Sequence, residues 1–63
     1  PGDPTLRSVQ ARLNRDYPAY ARLVVDGVDG PATRAAVAEF QRRSGLVPDG
    51  VAGPLTRARL GLP

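Results

Sequence analysis

Cysteine and histidine are both missing from this 63-residue sequence, and their absence removes several classes of chemistry. Without cysteine there is no disulfide bond, and without either residue the usual ligands of zinc, copper and haem iron are lacking. A serine–histidine or cysteine–histidine nucleophile pair is excluded, and general acid–base catalysis near neutral pH loses its usual agent. We therefore expect no metal site, no cofactor and no enzymatic activity in this chain.

Lysine is absent as well, so the nine basic residues are all arginine, and the net charge is +3. Acidic and basic residues are interspersed, which favours an ordinary solvated surface, although a positive balance also suits loose attraction to anionic polymers. No stretch approaches the roughly 18 consecutive apolar residues of a membrane-spanning helix. A chain this short is expected to form one domain. Its thin apolar core is expected to contribute about 3–5 kcal/mol to the free energy of unfolding.

Apolar residues at helical spacing predict the first helix. Leu6, Val9 and Leu13 fall on one face of such a helix. Asp3 is a suitable N-cap, and Pro4 fits the first helical position, where its missing N–H costs nothing. We therefore predict a helix that begins directly after Asp3.

Glycine–proline steps predict the start of two further helices. The second runs from Pro31 to about Arg43, and the third, shorter one runs from Pro54 to Gly61. Gly45 follows the second helix as a C-terminal capping residue. The chain is thus predicted to be all-α, a small three-helix bundle with little or no sheet.

Two segments lie outside the predicted helices. Residues 1–4 have the composition of a linker end, which places the module itself at residues 5–63. Residues 16–25 form the longest irregular stretch and contain both tyrosines. The extended run at residues 23–25 of this stretch is expected to place its apolar side chains on the core.

One motif occurs twice, 23 residues apart: residues 26–37 read DGVDGPATRAAV and residues 49–60 read DGVAGPLTRARL, with eight of twelve positions identical. Asp-Gly predicts a tight turn, Gly-Pro predicts the cap and first residue of a helix, and the threonine hydroxyl is expected to reach back to that cap. The carboxylates of Asp26 and Asp49 are expected to accept hydrogen bonds from free amides at the helix start. The other predicted structural positions are Gly27, Gly30, Pro31 and Thr33 in the first copy and Gly50, Gly53, Pro54 and Thr56 in the second.

Other loop motifs that share part of this pattern do not fit. A calcium-binding EF-hand loop needs alternating oxygen ligands and a final glutamate, and a phosphate-binding loop needs a lysine followed by serine or threonine. Asp26 and Asp49 could form the carboxylate pair of a glycosidase. Hydrogen bonds at helix N-termini would lower the pKa of both carboxyls, however, and so deprive the pair of its acid.

The chain carries, in order, Leu6-x-x-Val9-Gln10-x-x-Leu13, then Tyr17, then Val25-Asp26-Gly27-x-x-Gly30-Pro31-x-Thr33-x-x-Ala36-Val37-x-x-Phe40-Gln41, then Asp49-Gly50-Val51-x-Gly53-Pro54-x-Thr56 with Leu60. This ordered set, which spans nearly the whole chain, resembles the bacterial peptidoglycan-binding domain of type 1. The resemblance implies a three-helix fold with a pseudo-repeat and non-catalytic binding to the cell wall.

The resemblance also implies a setting. Such modules are usually appended to cell-wall hydrolases, and a phage endolysin is the favoured parent. The expected partner is peptidoglycan, through its glycan or stem peptide, bound by a monomer that is tethered to a catalytic domain and secreted or delivered by phage. The chain departs from the family pattern at Asp29, where an aromatic residue is common, and in the longer loop at residues 18–22.

Five residues near the first copy of the motif are the predicted ligand contacts. Tyr17 and Tyr20 are the best platforms for sugar faces, although either ring could instead cover the core. Asp26 and Asp29 could accept hydrogen bonds from amides or amines, and Arg34 could pair with a stem-peptide carboxylate or remain a solvated charge. We therefore expect the ligand at the first copy and a bracing role for the second.

Two alternatives to wall binding stay open. A module that docks on its own enzyme, as a protein-interaction or pro-domain unit, would suit a small helical fold. Three predicted helices and a positive net charge would also suit a helix-turn-helix nucleic-acid binder. Against the latter, the third helix is short and offers only Arg57 and Arg59 to read bases, so we expect no nucleic-acid partner.

Overall fold

Three helices joined by two loops make up the computed structural model, which describes residues 2–63. Helix α1 spans Pro4–Asp16, α2 spans Pro31–Arg43 and α3 spans Pro54–Arg59. The described part of the chain contains no strand. The predicted all-α, three-helix architecture is therefore confirmed.

The start of α1 is tied to the first turn motif, defined as residues 26–37. Asp3 is the N-cap, and its carboxylate accepts a hydrogen bond from the N–H of Thr5 at 2.9 Å. The backbone N–H of Asp3 also donates to the carbonyl of Gly27 at 3.0 Å. Of the predicted linker, Asp3 and Pro4 thus take part in the start of α1, whereas Pro1 lies outside the described residues.

Helices α2 and α3 begin in the same way, as the repeat predicts. Gly30 and Gly53 are their N-caps in extended conformation, each followed by proline, and neither helix has a side-chain cap. The expected capping role of the threonines is wrong. The hydroxyls of Thr33 and Thr56 instead accept hydrogen bonds from buried glutamine side chains, at 3.0 and 2.9 Å.

The predicted capping glycine at the end of α2 is confirmed. The N–H of Leu46 donates to the carbonyl of Gln41 at 2.8 Å, and the N–H of Gly45 donates to that of Arg42 at 3.3 Å. This pair of bonds satisfies two carbonyls that a helix end leaves free. The end of α3 at Gly61 has the same pattern.

The apolar core combines side chains of α1 and α2 with one residue of the first loop and the residue that directly follows α3. Its buried members are Val9, Leu13, Ala21, Ala36, Val37, Phe40 and Leu60. The predicted apolar faces of α1 and α2 are therefore confirmed. Leu6, Tyr17, Tyr20 and Leu23 are partly buried and pack against this cluster.

The run at residues 23–25 does not place all its side chains on the core. The amide of Asn14 pairs with the backbone of Leu23: its Nδ2 donates to the Leu23 carbonyl, and its Oδ1 accepts from the Leu23 N–H, both at 2.8 Å. Leu23 is thereby held against the core, and extended backbone turns the next side chain away from it. Val24 and Val25 are 76% and 42% exposed, so that part of the expectation is wrong.

A glutamine side chain from α1 closes the first turn motif. The Oε1 of Gln10 accepts from the N–H groups of Asp26 and Gly27, at 3.0 and 2.8 Å. Its Nε2 donates to Asp26 Oδ1, the carbonyl of Val28 and the hydroxyl of Thr33, at 3.1, 3.2 and 3.0 Å. Because backbone N–H groups can only donate, these bonds also fix which end of the amide is oxygen.

A glutamine from α2 closes the second turn motif, residues 49–60, in the same way. The Oε1 of Gln41 accepts from the N–H of Gly50 at 2.9 Å. Its Nε2 donates to Asp49 Oδ1, the carbonyl of Val51 and the hydroxyl of Thr56, each at 2.9 Å. Both glutamine side chains are fully buried, so each turn is sealed by a polar group inside the fold.

Glycine is required at the turn of each motif for its backbone conformation. Gly27 and Gly50 have φ angles of 72° and 75°, a region that other residues rarely adopt. A Cβ on Gly27 would also lie 2.6 Å from the backbone nitrogen of Asp3. The tight turn that the sequence predicts at each Asp-Gly is therefore confirmed.

Replacing either glutamine by methionine tests whether these amides hold the loops. Gln10→Met and Gln41→Met keep the side-chain length but leave buried N–H and C=O groups without partners, each at a cost of about 1–3 kcal/mol. We expect each variant to lose about 2–4 kcal/mol of unfolding free energy, measured by urea titration followed by circular dichroism. Arg7→Ala, on the exposed face of α1, is the control and should change stability by less than about 0.5 kcal/mol. Glutamine variants as stable as this control would contradict the assignment.

Candidate functional site

Each of the two motif carboxylates is held by a backbone N–H of its own loop and by a buried glutamine side chain. Asp26 Oδ1 accepts from the N–H of Val28, and Asp49 Oδ1 from the N–H of Val51, both at 2.9 Å. The expectation that these carboxylates accept from amides at the helix start is thus wrong. Each aspartate closes a short turn with the residue two positions later, as aspartate commonly does.

These contacts lower the pKa of both carboxyls. For Asp26 the largest cause is the backbone N–H of Val28, followed by the side-chain amide of Gln10. For Asp49 the causes are the equivalent groups, the N–H of Val51 and then the amide of Gln41. An ionised carboxylate accepts hydrogen bonds but cannot supply the proton that a glycosidase acid must donate. The pair is therefore suited to binding rather than to acid catalysis.

Asp29 and Arg34 form an ion pair on the surface of the first turn motif. Arg34 Nε lies 3.2 Å from Asp29 Oδ2, and the two side chains are 63% and 56% exposed. Exposed ion pairs contribute little to stability, so either partner can exchange this contact for one with an external group. The second turn motif has Ala52 at the equivalent position and lacks this pair.

The two tyrosines pack on each other and on the core. The Tyr17 ring lies 5.7 Å from that of Tyr20, in a stacked arrangement, and 5.3 Å from that of Phe40. The Arg43 guanidinium lies 5.0 Å from the centre of the Tyr20 ring. Within the described residues the Tyr20 hydroxyl has no hydrogen-bond partner, and its burial raises the pKa of the phenol. Both rings thus act in part as a cover for the core.

The structure does not bring the five predicted contacts to one place. Tyr20, on which Tyr17 stacks, lies beside Arg43 in the last turn of α2. Asp29 is instead paired with Arg34 in the first turn. At 1.5 Å rise per residue, the two arginines are about 13 Å apart along the helix axis. The tyrosines and the ion pair therefore belong to different parts of the surface.

A crevice of about 220 Å³ separates the two turn motifs. Charged side chains of both signs line it: Asp3, Asp29 and Arg57. Arg57 is held in position because it donates to the carbonyl of Ala52 at 2.9 Å. Asp3 and Arg57 were not predicted as candidate contacts, although Arg57 occupies the position of Arg34 in the repeat.

The surface of the described residues carries groups that can make hydrogen bonds, ion pairs and apolar contacts. Within residues 2–63 no group of three or more acidic side chains is placed to hold a metal ion. None of the three helices there is long and apolar enough to cross a membrane. The surface features of this part of the chain are carboxylates, arginines and apolar side chains around two turns that buried glutamines hold.

Acid titration tests the hydrogen bonds at Asp26 and Asp49. Because the pKa of each carboxyl is lower in the folded protein than in the unfolded chain, ionisation stabilises the fold above about pH 4. That stabilisation is lost as the pH falls through the lowered folded values. We expect a double variant, Asp26→Asn with Asp49→Asn, to lose less stability than the wild type between pH 5 and pH 2, since asparagine keeps the acceptor but does not titrate.

The measurements are thermal unfolding at each pH and carbon NMR of the two carboxyl groups. Carboxyl carbons that titrate at or above the ordinary aspartate value of about 3.9 would contradict the geometry.

Comparison with known proteins identifies one family. The peptidoglycan binding domain matches residues 2–60, which is nearly the whole chain. No curated protein and no solved structure gives a significant match. The resemblance found in the ordered motifs is thereby confirmed, and the three-helix fold agrees with it. The chain belongs to the peptidoglycan binding domain family.

Proposed function

We propose that this module binds peptidoglycan without catalysis and holds an attached cell-wall hydrolase, such as a phage endolysin, on its insoluble substrate. The match to the peptidoglycan binding domain over residues 2–60 carries the proposal. The module acts as a monomer at the cell wall, within a larger protein that is secreted or delivered by phage. A weak intrinsic affinity suffices, because tethering raises the local concentration of the catalytic domain.

The proposed contacts centre on the first turn motif. Peptidoglycan presents amides, hydroxyl groups and the carboxylates of its stem peptides. Arg34 can bind such a carboxylate through two parallel hydrogen bonds, and Asp29 and Asp26 can accept from amide or amine hydrogens. The exposure of the Asp29–Arg34 pair supports this assignment, since breaking it costs little.

Tyr17 and Tyr20 remain predicted contacts at the other end of α2. Their rings pack against each other and against Phe40, so any sugar would meet their outer edges rather than a free aromatic face. Binding at the tyrosines would form a second contact area, separate from the first turn motif.

Cosedimentation with purified peptidoglycan sacculi, stripped of attached polymers, tests the proposal. We expect the module to pellet with sacculi at physiological salt and to stay in solution beside DNA-cellulose. Binding to DNA-cellulose that falls steeply between low and moderate salt would instead indicate a nucleic-acid binder that contacts phosphates. A module that remains in the supernatant with sacculi would overturn the proposal.

The same assay tests the proposed contacts. Arg34→Ala and Asp29→Ala should each weaken sacculus binding by about three- to tenfold, since a tenfold change corresponds to one good polar contact. Arg42→Ala is the matched control, because Arg42 is an exposed arginine of the same helix that pairs with Glu39 near the other end. If the control weakens binding as much as Arg34→Ala, the effect is one of net charge and the assignment is wrong.

A further inference from the structure

Two equivalent clefts lie beside the two turn motifs. The first cleft, lined by Val24, Asp26 and Val28, has a volume of about 240 Å³. The second cleft, lined by Val47, Asp49 and Val51, has a volume of about 190 Å³. These lining residues correspond one to one at the 23-residue offset, so the repeat extends beyond the motif itself to the valines that precede it.

Exposed apolar side chains are concentrated in these clefts. Val24 and Val47, at equivalent positions, are each 76% exposed, and Val28 and Val51 are 53% and 63% exposed. Leu55, 74% exposed, also lines the second cleft. Grouped exposed apolar residues mark interaction sites more often than scattered ones do. Their recurrence at matched positions indicates that both clefts serve the same kind of contact.

Each cleft also offers a hydrogen-bond acceptor. The Oδ1 atoms of Asp26 and Asp49 are occupied by protein donors, whereas their Oδ2 atoms accept no hydrogen bond within residues 2–63. Both carboxylates are ionised at neutral pH, as aspartate side chains ordinarily are. An apolar valine wall beside a carboxylate oxygen complements a methyl group beside an amide N–H. The N-acetyl groups of peptidoglycan sugars and the alanine residues of its stem peptides have this chemistry.

We infer that both clefts bind peptidoglycan, each taking one methyl-bearing amide group of the polymer, so that the module is bivalent. The inference rests on the proposed function. The two clefts share their valine and aspartate positions, and a repeating polymer presents the same group many times. The second turn motif, expected to be a brace, is thereby assigned a binding role as well.

Bivalence has a measurable signature. A variant with one impaired cleft still binds through the other. A variant with both clefts impaired also loses the added affinity that comes from two linked weak contacts. The informative variants are Val24→Ser for the first cleft, Val47→Ser for the second, and the double variant. Val25→Ser is the matched control, because Val25 is an exposed valine beside Val24 that does not line the cleft. All three substituted side chains are exposed, so circular dichroism should show an unchanged fold in each of the four variants.

Cosedimentation with sacculi is the first measurement. We expect each single variant to bind about tenfold more weakly, the double variant about a hundredfold or more, and Val25→Ser to bind as the wild type does. If the wild type binds sacculi and the double variant binds equally well, the inference fails while the proposed function stands. If Val47→Ser has no effect, there is one site and bivalence is wrong. If the wild type itself does not bind, the proposed function fails.

NMR titration with a soluble fragment is the second measurement. The probe is N-acetylmuramyl-L-alanyl-D-isoglutamine, which carries both an N-acetyl and an alanyl group. We expect shifts at the amides of Val28 and Val51 with similar dissociation constants, and loss of one set in each single variant. Light scattering is the third measurement, and it tests whether a second copy of the chain covers the valines. If the wild type self-associates and the double variant does not, the valines form a contact between copies and the inference is overturned.

Discussion

Two buried glutamine amides hold both loops of this fold onto its helices. A 63-residue chain has a thin core, and its turns carry backbone N–H and C=O groups that must find partners once water is excluded. Gln10 and Gln41 supply a donor and an acceptor from one side chain, as a neighbouring strand would. Each amide hydrogen-bonds the Asp-Gly turn, the aspartate side chain and the threonine in the first turn of the next helix. The shape of the loop and the direction of that helix are therefore fixed by the same group.

The same bonds determine what the loops present to solvent. The carbonyl of Val28 accepts from Gln10 and its N–H donates to Asp26, so both backbone groups of this residue are engaged inside the loop. Its side chain is left facing outward, and the equivalent contacts of Val51 give the same result. The outward side chains of Val28 and Val51 thus follow from the loop shape that the buried amides hold. Loops held in this way lose little conformational freedom when a ligand binds to them.

Much of the framework could be predicted from sequence because it depends on local chemistry, as at Pro31 and Gly45. The role of Gln41 could not, because the glutamines do not follow the 23-residue repeat: Gln10 precedes its aspartate by 16 positions and Gln41 precedes its own by 8. Half of this eight-residue difference is the longer first loop, which carries both tyrosines. The other half arises because Gln10 lies six residues before the end of α1, whereas Gln41 lies two residues before the end of α2. The five predicted ligand contacts also fall into two separate places on the surface. Residues that are close in sequence, in a loop and at the start of the helix that follows it, need not be close in space. The family, in contrast, was evident from the order of its motifs.

Amide hydrogen exchange at Gly27 and Gly50 tests most directly whether the glutamine amides are the constraint on which the fold depends. Both N–H groups lie in loops, yet each donates to a buried glutamine oxygen, at 2.8 and 2.9 Å. If the account holds, both amides exchange as slowly as the most protected amides of α2, because releasing them requires global unfolding. Fast exchange at either glycine while α2 stays protected would show that the loop opens on its own, and would contradict the account.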